Sequence, residues 1–436
     1  MKRPNKIAVF EHQRLKVDGR VFTDTHLKAL MRLNEYHGFY YFDFIPNGVQ
    51  FKQYVGVIQV DGLTIEILPK ADKDYVKSGD EEQETKWRGV LLQMLKKCGR
   101  LKADTAGAAH VRRQHLNLLE VYFELYLAEL DGLIRRGLVK QYRRETKNVN
   151  ALKGKLEFAG HIQKNLIHKE RFYTTHQVYD TNHQLHQVLY AALEVVDQFT
   201  KGGRLADYCK RVELGFPKVE RVKVTEALLN GVKLNRKTEP YAYAFELARL
   251  ILLNYSPDIS AGKERMLALL FDMNELWEEY VLVMLRKHVA EHNKAVDEGK
   301  SKGLKYSVKG QDKKQFWQDS ETQYWRHVKP DIVLKEDKEN GISYIIDTKW
   351  KRPTDQKASI EDIRQMYAYN RLYKATKSLL LYPGDKALKS GVFKDDINGL
   401  QHHCMLGFVS VLDGDKLSDK IGEEVLEMVV PKVSDN

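Results

Sequence analysis

Two aspartates separated by a short polar turn are the residues of this chain best placed to do chemistry. Val328-Lys329-Pro330-Asp331-Ile332-Val333-Leu334 is apolar and strand-like, residues 335–341 are polar, and Tyr344-Ile345-Ile346-Asp347-Thr348-Lys349 is apolar again. Two such runs around a Lys-Glu-Asn-Gly turn predict an antiparallel hairpin. A turn centred near 338–340 makes Ile332 face Ile346, Val333 face Ile345 and Asp331 stand opposite Asp347. Opposed residues on such a ladder have Cβ atoms about 4.5–5.5 Å apart. Two carboxylates that close, with apolar neighbours, repel. A divalent cation between them removes the cost, and hard oxygen donors with no nearby Cys or His suit Mg²⁺ or Mn²⁺. Lys349 falls on the same face as Asp347 by strand alternation. There it can orient or activate a metal-bound water, or balance charge developing on a phosphate. The competing arrangement has one aspartate capping a strand end and the other paired with Lys349. The coincidence of spacing, hairpin, apolar strands and the Pro330 lead-in favours the metal.

Two neighbours extend the set. Glu278 lies seven residues from both Phe271 and Leu285 and four from Leu282, which predicts an acid on an otherwise packed helix face. Gln365 and Tyr369 lie four apart on one helix face, where they could hold DNA backbone, orient the site, or stand as surface polar residues.

The elements that position these residues alternate. Strands over 328–334 and 343–350, a helix over 360–373 and a strand over 378–382 form an α/β pattern. A long helix is expected over 263–291. Upstream, the first 78 residues read as β-rich with one helix. Thr23 or Asp24 can cap that helix and Gly38 can close it, and Asp61-Gly62 marks a hairpin. Residues 79–255 read as mostly helical, with apolar stripes at Trp87, Val90, Leu91, Met94 and Leu95 and over 118–130. Boundaries fall at Ser78-Gly79-Asp80 and Ser256-Pro257-Asp258, giving expected domains 1–78, 79–255 and 256–436. A basic stretch carries Arg135, Arg136, Lys140, Arg143, Arg144, Lys147, Lys153 and Lys155. It is either a solvated loop or a positive projection that touches DNA or a partner.

Composition bounds the function classes. The chain has 436 residues and a formal charge of +11, which fits either lysine-rich solubility or a polyanionic partner. Three scattered cysteines argue against a disulfide scaffold or a cysteine zinc site. The groupings His183-x-x-His186 and His402-His403-Cys404 each lack a matching second ligand pair. No run of about 18 apolar residues or secretory leader is read, so a cytoplasmic location is expected. There is no G-x-x-x-x-G-K-[ST], so this chain does not bind nucleotide through a P-loop.

Pro330-Asp331 with Asp347-Thr348-Lys349 resembles the PD-(D/E)-x-K nuclease signature, and Gln365-Met366-Tyr367-Ala368-Tyr369 resembles the Q-x-x-x-Y element of RecB-type members. A narrower resemblance is to McrC, the nuclease subunit of McrBC-type modification-dependent restriction systems. It rests on the segment Phe271-Asp272-Met273-Asn274-Glu275-Leu276-Trp277-Glu278, on Arg135-Arg136-Gly137-Leu138, on Leu152-Lys153-Gly154-Lys155-Leu156-Glu157-Phe158 and on Leu380-Leu381-Tyr382-Pro383. The resemblance runs from about Leu118 to the C-terminus. It implies a β-rich N-terminal domain, a helical middle region and a C-terminal restriction-endonuclease-like α/β domain. By the same resemblance Asp331 and Asp347 are the metal ligands, Lys349 is the catalytic lysine and Glu278 is the helix acid. It implies a Mg²⁺-dependent endonuclease that cuts double-stranded DNA while docked on a McrB-like AAA+ GTPase ring and stimulating it. Arg135, Arg136, Arg143, Arg144, Lys153 and Lys155 would touch that ring, and the nuclease domain could self-associate. Two rivals stand beside this reading: a non-catalytic adaptor of the ring, and a stand-alone DNA repair nuclease.

Overall fold

The computed structural model describes residues 5–38, 41–60, 62–70, 80–101, 117–256, 266–300, 303–351, 353, 357–397 and 399–430. In the N-terminal part, β1 (Asn5–Phe10), β2 (Arg14–Lys16), α1 (Asp24–His37), β3 (Phe42–Ile45), β4 (Gly48–Phe51), β5 (Tyr54–Val60) and β6 (Leu63–Leu68) follow in order. Thr23 and His26 form the capping box of α1, and Gly38 closes it in the left-handed conformation, as the sequence predicts. β5 and β6 pair antiparallel with Val60 opposite Leu63, the hairpin expected around Gly62, while Asp61 lies outside the described residues.

The middle part contains α2 (Glu81–Lys97), α3 (Leu118–Arg136), β7 (Gln141–Val149), β8 (Lys155–Leu156), α4 (Phe158–Asn165), β9 (Phe172–Asp180), α5 (Gln184–Thr200), α6 (Ala206–Gly215), α7 (Glu226–Gly231) and α8 (Ala242–Leu253). Residues 71–79 and 257–265, where both domain boundaries were placed, lie outside the described residues apart from their flanks.

The helix expected over 263–291 is corrected. β10 (Tyr255–Ser256) is followed by β11 (Met266–Asp272), and only then does α9 (Met273–Asp297) begin, with Asp272 accepting from Asn274 N as its cap. β11 pairs antiparallel with β5 and completes a five-stranded sheet of order β1-β6-β5-β11-β10. Leu267, Leu269 and Phe271 enter the large helical core, whereas Met266 and Ala268 enter the N-terminal core beneath α1. A strand covered on both faces is apolar at every position, so its run cannot be told from a buried helix by periodicity.

The C-terminal part holds β12 (Tyr306–Gly310), β13 (Lys314–Gln318), β14 (Trp325–Val328), β15 (Ile332–Glu336), β16 (Ser343–Thr348), α10 (Ile360–Tyr373), β17 (Lys377–Pro383), β18 (Ala387–Ile397), β19 (Leu400–Val409), β20 (Leu412–Asp413), β21 (Lys416–Leu417) and α11 (Ile421–Val429). The strand expected over 328–334 is two strands, β14 and β15, split by Lys329-Pro330-Asp331. Pro330 has no N–H to give a ladder. Six strands form one mixed sheet of order β12-β15-β16-β17-β19-β18. Its two faces are buried separately. Val333, Ile345, Leu380 and Tyr382 pack with Met366, Tyr369 and Tyr373 of α10. Ile332, Ile346, Leu379 and Leu381 join the core built on α9 and α11. The fold is therefore mixed α/β and multi-domain, with the mixed sheet sandwiched between helices.

Gly56 has φ +143°, and a Cβ there would collide with the carbonyl oxygen of Leu269 on the neighbouring strand. Gly56→Ala should therefore cost about 1–3 kcal/mol and lower the melting temperature. An unchanged thermal midpoint would contradict this account of the β5–β11 contact.

Candidate functional site

The site forms at the carboxyl ends of β16 and β17, which run parallel; ligands of α/β sheets gather at such ends. β15 and β16 pair with Ile332 opposite Ile346 and Val333 opposite Ile345, the register the turn predicts. Asp331 and Asp347 are the next opposed positions beyond the last paired residues. Asp347 has the parity of Ile345, so it lies on the α10 side of the sheet and is 1% exposed. The backbone N–H of Lys349 donates to Leu381 O at 2.9 Å, which holds the end of β16 to β17.

Lys349 Nζ lies 2.7 Å from Asp347 Oδ2 and 3.8 Å from Asp362 Oδ1. It also donates to Gln365 Oε1 at 3.3 Å. Gln365 Nε2 donates to Tyr369 OH at 2.8 Å, and Tyr369 OH donates to Lys329 O at 3.2 Å. Gln365 and Tyr369 thus belong to the site rather than to the solvent surface. Asp331 Oδ2 accepts from Thr348 N at 2.7 Å and Thr348 Oγ1 at 3.0 Å.

Both halves of the competing arrangement are therefore present: Asp331 takes strand-end hydrogen bonds, and Asp347 pairs with Lys349. They do not neutralise the site. Asp347 Oδ2 is buried, and what it meets is the Lys349 ammonium at 2.7 Å. Burial first, and then the charge of Asp331, push the Asp347 carboxyl up. Burial and then Glu278 push Asp331 up in the same way. Burial on its own would lower the Lys349 ammonium, but Asp347, Asp362 and Asp331 together outweigh it and raise it. Tyr369 is pushed up to about 12 by burial and by Asp347.

Glu278 reaches the site from α9, the helix on the other face of the sheet. Gln311 Nε2 donates to its carboxylate, and burial raises it. The helical spacing that singled it out is half right. Leu282 and Leu285 share its helix, but Phe271 is in β11. Leu282 packs against Gly310, where a Cβ would collide with it, and this lets α9 come close to the end of β12.

Among the described residues, no three His, Cys, Asp or Glu side chains form a ready-made cation cage. Mg²⁺ does not need one. It keeps several waters and is held by one or two carboxylates plus substrate phosphate oxygens. Two opposed aspartates, both pushed up by burial and by neighbouring negative charge, fit that habit, and Glu278 acts here as an electrostatic neighbour.

Several residues of the site escaped sequence reasoning. Asp362 is held below the usual range by Lys351, at 2.9 Å, against the effect of burial, and it also faces Lys349. Its spacing from Ser359 reads only as a helix cap, which it also is. Thr348, the unspecified position of the signature, supports Asp331. Trp350 Nε1 donates to Glu11 Oε1 at 2.7 Å and its ring lies 5.3 Å from that of Trp277, so the segment after Lys349 is tied to β1 and to α9. The histidine groupings are engaged internally: His183 with Val139 O, His186 with Thr181 O, and His402 with Asp395.

The basic stretch folds as a three-stranded antiparallel sheet, order β7-β9-β8, with α4 against it. Its charge is partly spent within. Arg135 pairs with Asp131, Arg143 with Asp180 and Glu145, and Lys155 with Glu157, while Arg136 donates to Gly132 O. Arg144 and Lys153 are exposed, and so are Tyr142, Leu152, Phe158, Ile162, Leu166 and Ile167. The unit therefore offers apolar surface as much as positive charge.

The sequence profile of the McrBC 5-methylcytosine restriction system component family matches residues 49–383. The chain belongs to that family. The match starts upstream of Leu118, so it includes part of the N-terminal region, and both aspartates of this McrBC-family chain fall within it. Among solved structures, a chain of the refined half-complex from the tetradecameric assembly of Thermococcus gammatolerans McrB AAA+ hexamers with bound McrC has a similar fold. The TM-score is 0.68 at 18% identity, covering 97% of this chain and 99% of that one. The cryo-EM structure of the Thermococcus gammatolerans McrBC complex matches at TM-score 0.48 and 19% identity, over 65% of this chain and 88% of that one. No curated protein matches. No helix among the described residues is long and apolar enough to cross a membrane.

The folded pKa of Asp331 lies above that of a free carboxyl, at about 6. The penalty of its ionisation is thus absent below about pH 4, grows above it, and is complete once the pH has passed about 6. In EDTA, Asp331→Asn should stabilise the protein at pH 8 by about 1–3 kcal/mol and give no gain at pH 4. A lower melting temperature than wild type at pH 8 would contradict the repulsion.

Proposed function

We propose that this chain is the Mg²⁺-dependent DNA endonuclease subunit of a McrBC-type restriction complex, hydrolysing phosphodiester bonds in double-stranded DNA while docked on an AAA+ GTPase ring. One observation carries the catalytic half of the reading: two opposed aspartates, Asp347 among them almost wholly buried, beside a lysine at the carboxyl ends of parallel strands. Asp331 and Asp347 would hold the cation. Bound Mg²⁺, or Mn²⁺ in its place, would supply Lewis acidity and neutralise charge at the scissile phosphate.

The chain's own groups do the rest. Lys349 Nζ, fixed by Asp347 and Gln365, would stand beside the water that attacks phosphorus. Its charge aligns that water and offsets the negative charge that builds up as the phosphorus–oxygen bond to the leaving group breaks. Tyr369 and Gln365 keep the lysine and the Lys329 carbonyl in place. Thr348 orients Asp331.

Family membership supports the restriction setting, and the fold of the bound McrC assembly supports the partner. The unit built on β7, β8, α4 and β9, together with Arg135 and Arg136 at the end of α3, is the proposed face for the ring. Its exposed Leu152, Phe158 and Ile167 would bury against the partner while Arg144 and Lys153 steer it.

Asp347→Ala and Lys349→Ala should each reduce plasmid cleavage by at least about a hundredfold in a complex reconstituted with the AAA+ partner, its nucleotide and Mg²⁺. Stimulation of nucleotide hydrolysis should persist. Full cutting by either variant would refute the site assignment.

A further inference from the structure

Strands β13 and β14 stand apart from the six-stranded sheet as a two-stranded ribbon directly preceding Asp331. An isolated ribbon of this kind is marginally stable, and natural ones hide their apolar side chains. This one does the reverse. Phe316 is 53% exposed, Trp317 49% and Tyr324 57%. Neither face of β13 is covered from Lys314 to Trp317. Folding does not explain four aromatics, counting Trp325, held in water on one short ribbon.

The register assigns the side chains to faces. Trp317 opposes Arg326, and Lys314 opposes Val328. Alternation then puts Lys314, Trp317 and Arg326 on one face, joined by Tyr324, whose ring lies 5.1 Å from the Arg326 guanidinium. That face turns toward α10. Lys314 Nζ sits 4.0 Å from the Tyr373 ring and donates to Leu372 O at 3.2 Å. Tyr373 OH donates to Asp312 O, and Tyr369 OH to Lys329 O. Both roots of the ribbon are thus fastened to the helix that carries Gln365 and Tyr369.

Its charge is sorted as well. Lys313, Arg326 and Lys329 are exposed and make no ion pair among the described residues. Asp319, near the tip, is spent capping its turn through Glu321 N and Thr322 N. Unpaired cations therefore stand both at the root, as Lys313 and Lys329, nearest the carboxylates, and further out, as Arg326, level with Trp317.

We infer that this ribbon is a DNA-binding arm: Lys313, Arg326 and Lys329 hold phosphates flanking the cut, and Trp317 and Tyr324 stack on bases opened beside it. Cations repay approach to a polyanion, and aromatic faces accept any base without reading its sequence. The inference rests on the nuclease reading for the position of the cut, but not for binding itself. A two-stranded ribbon is narrow enough to enter the major groove, which a smooth basic surface is not.

The test is binding of a labelled DNA duplex with one mismatched step, by fluorescence anisotropy in EDTA, to the full chain docked on its AAA+ partner. Trp317→Ala/Tyr324→Ala should weaken binding about tenfold or more, with Trp317→Phe/Tyr324→Phe restoring most of it. Arg326→Ala should reduce the slope of log affinity against log salt by about one. Unaltered affinity and slope in folded variants would overturn the inference, as would loss of ring docking instead of DNA binding. Cleavage in Mg²⁺ is scored separately. Wild-type binding without cutting counts against the nuclease reading alone, and ribbon variants that bind and cut like wild type count against the arm alone.

Discussion

Two like charges held together at the ends of adjacent strands are the constraint around which the C-terminal half is built. At the spacing of opposed strand residues, about 5 Å, and an effective dielectric near 20, their repulsion is about 3 kcal/mol. Burial adds to it, since the Asp347 side chain is almost wholly withdrawn from water. The surroundings only partly answer this cost. Thr348 satisfies Asp331, Lys349 faces Asp347, and Asp362 holds both Lys349 and Lys351 so that the lysine cannot fully serve one aspartate. On the proposed reading, a small hard cation and a phosphate brought with it would relieve the residual negative field.

The rest of the molecule acts as a brace. Trp350 follows Lys349 immediately and is clamped between Trp277 of α9 and Glu11 at the end of β1. Glu11 is itself buried, also accepts from Lys70 N at 2.6 Å, and is pushed up to about 8 by burial. The N-terminal sheet therefore bears on the end of β16 through one indole, and β11 welds that sheet to α9 from the other direction.

What could be read from the sequence follows from which physical signal each element leaves. The β15–β16 hairpin was legible because its turn and its alternating contacts fix register together, and α10 was legible because Ser359, the periodic Met366 and Tyr373, and the residues beyond delimit it. β11 was not, because a strand between two cores has no polar side to mark its period. Asp362 was hidden behind an ordinary helix-cap pattern, and Glu278 was found partly through Phe271, a residue on another element. The basic stretch was visible as charge, but its pairing with Glu145, Asp180 and Asp131 and the apolar surface left beside it are properties of the folded sheet.

A divalent cation that relieves the Asp331–Asp347 repulsion must stabilise the fold, and calorimetric melting with and without Mn²⁺ measures that stabilisation. A ligand that binds only the native state raises the melting temperature progressively with its concentration. Wild-type protein should be stabilised by Mn²⁺ in this way, and Asp347→Asn should lose that response while melting cooperatively. Equal Mn²⁺ stabilisation of the two proteins, or none in the wild type at millimolar metal, would mean that no cation bridges the two aspartates.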